Sequence, residues 1–195
     1  MTTFVNTPFG ALEGTEQDGV YRFLGVPFAE KPLGELRFRA PQMVRPWTET
    51  RQATGYEKDP MQANLVLGPE HYSEDCLYLN LWVPETTAKK LPVMVWVPGG
   101  AFATGGSGAV DPEGPSIYDC QQLAKDGGCI VVSISYRLNV FGFLNLSQFS
   151  SRFDDNIGMR DIIMALRWVQ EAIASFGGDP ENVTLVGESA GGEAI

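Results

Sequence analysis

Cysteine, basic residues and long apolar runs are all scarce in this chain, and each scarcity removes a class of protein. Three cysteines, Cys76, Cys120 and Cys129, stand in 195 residues. Three make a poor disulfide framework, and their spacing matches no metal-ligand pattern, so no metal site is expected. They read as free thiols of a reducing compartment, which makes the cytoplasm the expected location. Lysine and arginine total 14 against 24 acidic residues, a formal charge of −10. An acidic chain with no basic stripe is a poor partner for nucleic acid or an anionic membrane. No stretch approaches the roughly 18 apolar residues that a membrane span needs. The opening MTTFVNTPFGALEG has neither the basic start nor the apolar run of a secretory signal. Internal repeats, low-complexity tracts and charge blocks are absent as well.

What is present is ordinary globular material, 44% hydrophobic and 19% charged, long enough for one domain with a sizeable core. The first third is broken by Pro and Gly into turns and short strands: FVNT, VYRFLGVPFAE and KPLGELRFRAPQ. From Tyr78 the pattern changes. YLNLWV (78–83) and PVMVWV (92–97) read as neighbouring strands joined through PETTAKK. CIVVSIS (129–135) and VTLV (183–186) are β-branched runs suited to strands buried on both faces. Between these two, Ile162, Leu166, Val169, Ile173 and Phe176 recur at steps of four and three, which predicts an amphipathic helix over 158–176 ended by Gly177-Gly178. SIYDCQQLAKD predicts a weaker helix between the strands at 92–97 and 129–135. Strand, helix, strand, helix, strand is the pattern of an α/β fold with a parallel sheet covered on both faces. The strands at 78–83, 92–97, 129–135 and 183–187 are expected in one mixed sheet, the last three mutually parallel. Ligands of such sheets bind at the C-terminal strand ends, where both glycine-bearing loops fall.

One of those loops is Gly187-Glu188-Ser189-Ala190-Gly191, the G-x-S-x-G spacing. A strand turning straight into a helix needs small residues, and it pushes the hydroxyl of Ser189 out of the sheet. The amide of Ala190, at the helix start, can then donate to a developing oxyanion. Taken alone, the pentapeptide also fits a plain strand-to-helix turn with a capping serine. The other loop is WVPGGAFATGGSG (96–108). A Gly-Gly pair after a strand lets the backbone approach a substrate and offer its N–H groups. No lysine follows as in a Walker loop, and no G-x-G-x-x-G is present for a dinucleotide.

The segments FGGDPENVTLVGESAG (176–191), EDCLYLN (74–80), FLGVPFAEKPLGELRFRAP, SYRLNVFGFL and ALRWVQEAIASFGGDP occur in that family's order in a type-B carboxylesterase, and the chain resembles the N-terminal part of one. The likeness runs over residues 5–195. The family also holds cholinesterases, fungal lipases and non-catalytic adhesion proteins. The resemblance implies an α/β-hydrolase fold, with residues 1–195 as the N-terminal portion of a single domain truncated after the nucleophile elbow. It implies hydrolysis of a small-molecule carboxylic ester through an acyl-serine, with no cofactor. By position, Ser189 would be the nucleophile, and the amides of Gly100, Ala101 and Ala190 the oxyanion hole. Position 101 is glycine in many members; alanine there narrows the pocket and needs a backbone angle that alanine tolerates. Pro98 departs from the His or aromatic residue often found before the glycines. Glu188 suits a supporting carboxylate or pocket wall, without a catalytic role. The resemblance further implies that Arg37 pairs with Glu74 and Arg137 with Asp161, all four structural. It assigns Cys76 a disulfide partner upstream, which this chain lacks. Trp82, Trp96, Phe141, Phe143 and Trp168 read as core, with Phe102 the aromatic nearest the candidate oxyanion loop.

A serine nucleophile needs a base, usually histidine. The single histidine, His71, lies in the polar stretch GPEHYSED and reads as a surface residue. In the family the acid and histidine follow the serine by a long interval, and only six residues follow Ser189 here. The acid and base are therefore expected beyond residue 195. Two classes stay open at this point: an ester hydrolase contributing its nucleophile and oxyanion hole, and an inactive or adhesion-type relative. The intact serine signature favours a catalytic lineage.

Overall fold

Apolar runs buried on both faces form the middle of the sheet, and short polar hairpins extend it. In the computed structural model, which describes residues 1–63, 68–108, 116 and 118–195, the chain begins with β1 (Thr2–Thr7), β2 (Gly10–Gln17) and β3 (Val20–Pro27). Three short strands follow: β4 (Arg51–Gln52), β5 (Asp59–Pro60) and β6 (Tyr72–Ser73). The remaining strands are β7 (Tyr78–Pro84), β8 (Leu91–Val97), β9 (Ile130–Ile134) and β10 (Gly178–Gly187). The helices are α1 (Gln121–Gly127), α2 (Asn139–Phe143), α3 (Ile157–Ala172) and α4 (Ala190–Glu193). Among the described residues no helix is long and apolar enough to cross a membrane.

The main sheet runs β1-β2-β3-β7-β9-β8-β10, with β4 beside β2. From β1 to β9 the neighbours are antiparallel. The pairs β9–β8 and β8–β10 are parallel, as expected for the strands at 92–97, 129–135 and 183–187. One sequence expectation is corrected. β7 and β8 are not neighbours, because β9 lies between them. Residues 85–90 can bridge that gap, since two strand spacings amount to only about 10 Å. β9 is buried along its whole length and gains most from a central position.

Alternation sorts the sheet residues onto two faces. Ile130, Val132 and Ile134 join Leu79, Leu81, Val93, Val95 and the apolar stripe of α3, including Ile162, Ala165, Trp168 and Val169. Val131 and Trp82 point the other way and meet Ala124 of α1 with Cys120 and Cys129. Helices therefore cover both faces. The periodic segment expected at 158–176 is α3 followed by a 3₁₀ turn at Ile173–Phe176, stopped by Gly177 at φ 84°. The helix expected over SIYDCQQLAKD starts only at Gln121, whose N–H is accepted by Asp119 Oδ1 at 2.9 Å. Ile117 of that stretch lies outside the described residues. All three cysteines are buried free thiols. KPLGELRFRAPQ holds a 3₁₀ turn at Gly34–Leu36.

Both implied ion pairs form. Arg37 meets Glu74 through Nε and Nη2, the latter at 2.7 Å. Arg137 meets Asp161 through Nε at 2.8 Å and Nη2 at 2.7 Å, and the Arg137 N–H adds a third bond to the same carboxylate. The second pair is fully inside, with side chains 4% and 0% exposed. Breaking such a pair strands one charge in the interior. Arg137→Ala should therefore lower the unfolding free energy by about 3–5 kcal/mol. Replacing both residues with leucine should cost less than the sum of the single changes, as read from urea midpoints.

Asp59 is a second buried carboxylate, and among the described residues no cation pairs with it. It is 6% exposed, and it accepts the Gly108 N–H at 3.2 Å. Burial pushes its pKa up to about 6 from 3.8, and the Gly108 bond offsets only part of that. The folded form holds the proton more tightly than the unfolded form. Its stabilising contribution is therefore full below about pH 4 and is lost as pH rises through about 6. At about 1.4 kcal/mol per unit, the loss is about 2–3 kcal/mol. Asp59→Asn should match wild type near pH 4 and exceed it by about that amount near pH 8, measured by urea unfolding across the range.

Candidate functional site

β8 and β10 run parallel in a register that pairs Gly187 with Val97. Their C-terminal ends are level, so the loops that leave them start side by side. The contact between those loops is backbone on backbone. A Cβ on Gly191 would lie 2.0 Å from the Val97 carbonyl oxygen and 2.9 Å from that of Pro98. One on Gly187 would lie 2.3 Å from the Gly191 carbonyl carbon. No real side chain fits at those distances, so glycine at both positions is what lets the turn close. Glu188 N–H donates to Val97 O at 3.3 Å, and Gly191 N–H donates to Glu188 O at 2.8 Å.

Ser189 stands at the apex with φ 50° and ψ −120°, directly before α4. That conformation is strained for any residue with a side chain, and such strain persists only where the surroundings enforce it. Ser189 is exposed, and its hydroxyl makes no hydrogen bond among the described residues. The motif is thus a strand-to-helix turn, but Ser189 does not cap α4 with its side chain. Ala190, the first residue of α4, is 4% exposed.

The second loop makes a tight turn immediately after Pro98. Gly100 O accepts the N–H groups of Ala103 at 3.0 Å and Thr104 at 2.9 Å. Gly100 lies at φ 113°, Ala101 at 55° and Phe102 at 58°. Alanine pays about 1–2 kcal/mol for a left-handed angle, so the position is strained, contrary to the expectation that alanine tolerates it. The amides of Gly100, Ala101 and Ala190 donate to no group among the described residues. Three neutral donors are therefore free on two loops that touch.

The glycine turn is tied to the core and has a carboxylate over it. Tyr136 O–H donates to Pro98 O at 2.8 Å from inside the core. Burial, with the charges of Tyr118 and Glu188 behind it, pushes that phenol up to about 12. Glu188 itself is exposed, and its carboxylate lies over Gly99, where a Cβ would come 2.2 Å from Oε2. Phe102, the aromatic closest to the turn, packs against Phe143 at 4.8 Å between ring centroids and so joins the core. Trp82 and Trp168 are fully buried, as expected. Trp96 is half-buried against Tyr118.

His71 is not part of this arrangement. It ends a 3₁₀ turn at Pro69–His71, with its Nε2 3.6 Å from Glu70, and lines a recess with Tyr56, Glu57 and Asp59. Two residues that sequence reading passed over support the glycine turn. The Gln62 carboxamide bonds the backbone of Gly105, and Asn139 Nδ2 donates to Met61 O at 2.6 Å. Isolated amide side chains in loops carry no sequence signal for such contacts. Among the described residues no cluster of His, Cys, Asp and Glu could hold a metal ion.

Comparison with known proteins points the same way as this geometry. The Carboxylesterase family model matches residues 1–195. The para-nitrobenzyl esterase of Bacillus subtilis is 44% identical over 98% of this chain, which corresponds to 39% of that protein. The liver carboxylesterase of Sus scrofa is 44% identical over 95% of this chain and 33% of its own length. The acetylcholinesterase of Bungarus fasciatus is 40% identical over 98% of this chain and 33% of its own. A solved PNB esterase structure superposes on the whole chain with a TM-score of 0.90 at 45% identity, using 40% of that structure. The chain thus spans between a third and two fifths of the relatives it matches, with an α/β-hydrolase architecture, and it belongs to the carboxylesterase family.

Proposed function

We propose that residues 1–195 supply the nucleophile and oxyanion hole of a carboxylic-ester hydrolase, with its acid and histidine contributed by residues outside this chain. The observation that carries the reading is Ser189, strained and exposed at a strand-to-helix turn that touches a second turn bearing unpaired amides. Ser189 Oγ attacks the ester carbonyl and loses its proton to the base. The carbonyl oxygen becomes an oxyanion that accepts hydrogen bonds from the amides of Gly100, Ala101 and Ala190. Collapse of the tetrahedral intermediate releases the alcohol and leaves the acyl group on Ser189; water then repeats the sequence and releases the acid. Fixed amide dipoles suit this chemistry because they need no reorganisation as charge develops, and each such donor contributes about 3–4 kcal/mol of transition-state stabilisation. The relatives' names support a small ester as substrate.

His71, in its own recess beside Glu70, offers Ser189 no base. Without one the hydroxyl stays protonated near neutral pH and is a weak nucleophile. Purified residues 1–195 should neither turn over a p-nitrophenyl ester nor be labelled by a fluorophosphonate probe. Placed in the para-nitrobenzyl esterase of Bacillus subtilis instead of its matching segment, the same residues should restore both, and Ser189→Ala should reduce turnover by about 10⁴-fold or more. A folded hybrid that fails to label, or stoichiometric labelling of residues 1–195 alone, would overturn the proposal.

A further inference from the structure

The turn at 100–104 holds two consecutive non-glycine residues in the left-handed region. Such angles are unfavourable for residues with a side chain, so other contacts must enforce the conformation. Some are local. Thr104 Oγ1 donates to Gly100 O at 3.3 Å, and Phe102 packs on Phe143. The others come from residues 60–62 and from Asn139. Gln62 Nε2 donates to Gly105 O at 2.6 Å and to Pro60 O at 3.0 Å, while its Oε1 accepts the Gly105 N–H at 2.9 Å. The carboxamide thus bonds both the N–H and the carbonyl of Gly105, a two-point hold that fixes position and orientation together. Asn139 completes the frame: its N–H donates to Phe102 O at 2.7 Å and its Nδ2 to Met61 O.

Gly105 is the residue through which the hold reaches the unpaired amides. A Cβ on Gly105 would lie 2.4 Å from Gly99 O, and one on Gly100 would lie 2.1 Å from Thr104 O. The backbone at 104–105 therefore rests directly on the backbone at 99–100, and neither can shift alone. We infer that Gln62 is a positioning residue for the oxyanion turn: its carboxamide clamps Gly105 and thereby sets where the amides of Gly100 and Ala101 point. The word oxyanion rests on the ester-hydrolase reading; the clamp does not. Its test accordingly needs no activity.

Residue-resolved amide hydrogen exchange of residues 1–195 separates a clamp from a general structural contact. The informative amides are those of Ala103, Thr104 and Asn139, which donate to Gly100 O and Phe102 O and not to Gln62. Gln62→Ala should speed their exchange at least tenfold relative to wild type, while Val93, Val95 and Val132 in the sheet stay within about twofold. Faster exchange at Gly105 alone, or an equal increase across the sheet, would overturn the inference. Gln62→Glu provides a rescue with its own pH signature. As a carboxylate it keeps the acceptor for the Gly105 N–H and loses the donor to Gly105 O. Once protonated it regains a donor. Corrected for intrinsic rates, Q62E should resemble Q62A near pH 7.5 and return to within about threefold of wild type near pH 4. Wild type measured at the same two pH values carries the titration of Asp59, so that contribution cancels. Absence of the low-pH recovery would also overturn the clamp. Should Q62A not fold, Q62E at the two pH values decides alone.

Discussion

Two backbones meet with no side chain between them where Gly191 lies against the carbonyls of Val97 and Pro98. The rest of the candidate site depends on that contact. It exists because β8 and β10 are parallel neighbours whose registers end together at Val97 and Gly187. A shift of one residue would send the two turns apart and reverse the faces of every β10 side chain. The sheet thus acts as a ruler, setting Ser189 and the glycine turn side by side. Their own small residues then allow the approach. Substituting either glycine would act on the distance between the loops before it acted on any chemistry.

Strained backbone angles surround this contact. Ser189, Ala101, Phe102 and Asn139 all have positive φ, and all lie in or against the two turns. Their surroundings account for their persistence. Tyr136 ties Pro98 to the core, Phe143 backs Phe102, and Gln62 with Asn139 splints the far side. Arg137 serves the same end at longer range, since its buried bond to Asp161 joins the loop after β9 to α3. Gly142 packs directly on the Arg137 backbone, where a Cβ would lie 2.0 Å from its carbonyl oxygen. The segment carrying Asn139 is thereby fixed from behind. A strained turn held from several sides is also slow to relax, which is what a preorganised donor set requires.

Much of this was legible before any coordinates. The elbow, the long helix and the three parallel strands each have a local signature: small residues around a serine, a 3.6-residue stripe, and short β-branched runs. The likeness to the family carried the ion pairs Arg37–Glu74 and Arg137–Asp161, which no spacing would reveal. Pairing order was less legible. YLNLWV and PVMVWV look adjacent because they are adjacent in sequence, but insertion of β9 between them is set by how the distant β9–β8 crossover packs. The left-handed angle of Ala101 was not legible either, because alanine is the one clue there and alanine is ordinary almost everywhere. Gln62 and Asp59 stand in a stretch without periodicity, so neither the clamp nor the buried carboxylate has a sequence signal.

The charge distribution sets a further constraint on any chemistry at Ser189. Glu188 is the charged side chain nearest the serine in sequence, and its field reaches far enough to help raise the phenols of Tyr118 and Tyr136. None of the ion-paired arginines is bonded to either turn. On the proposed reading, a developing oxyanion beside Ser189 would meet a negative neighbour in Glu188, and the cation formed when the base takes the proton lies outside this chain. What this chain adds on that reading is direct hydrogen bonding by the amides of Gly100, Ala101 and Ala190, whose strength falls steeply with misalignment. This chain's share of the stabilisation then depends on geometry. That dependence explains why so many of the surrounding contacts, from Tyr136 to Gln62, converge on the position of one short turn.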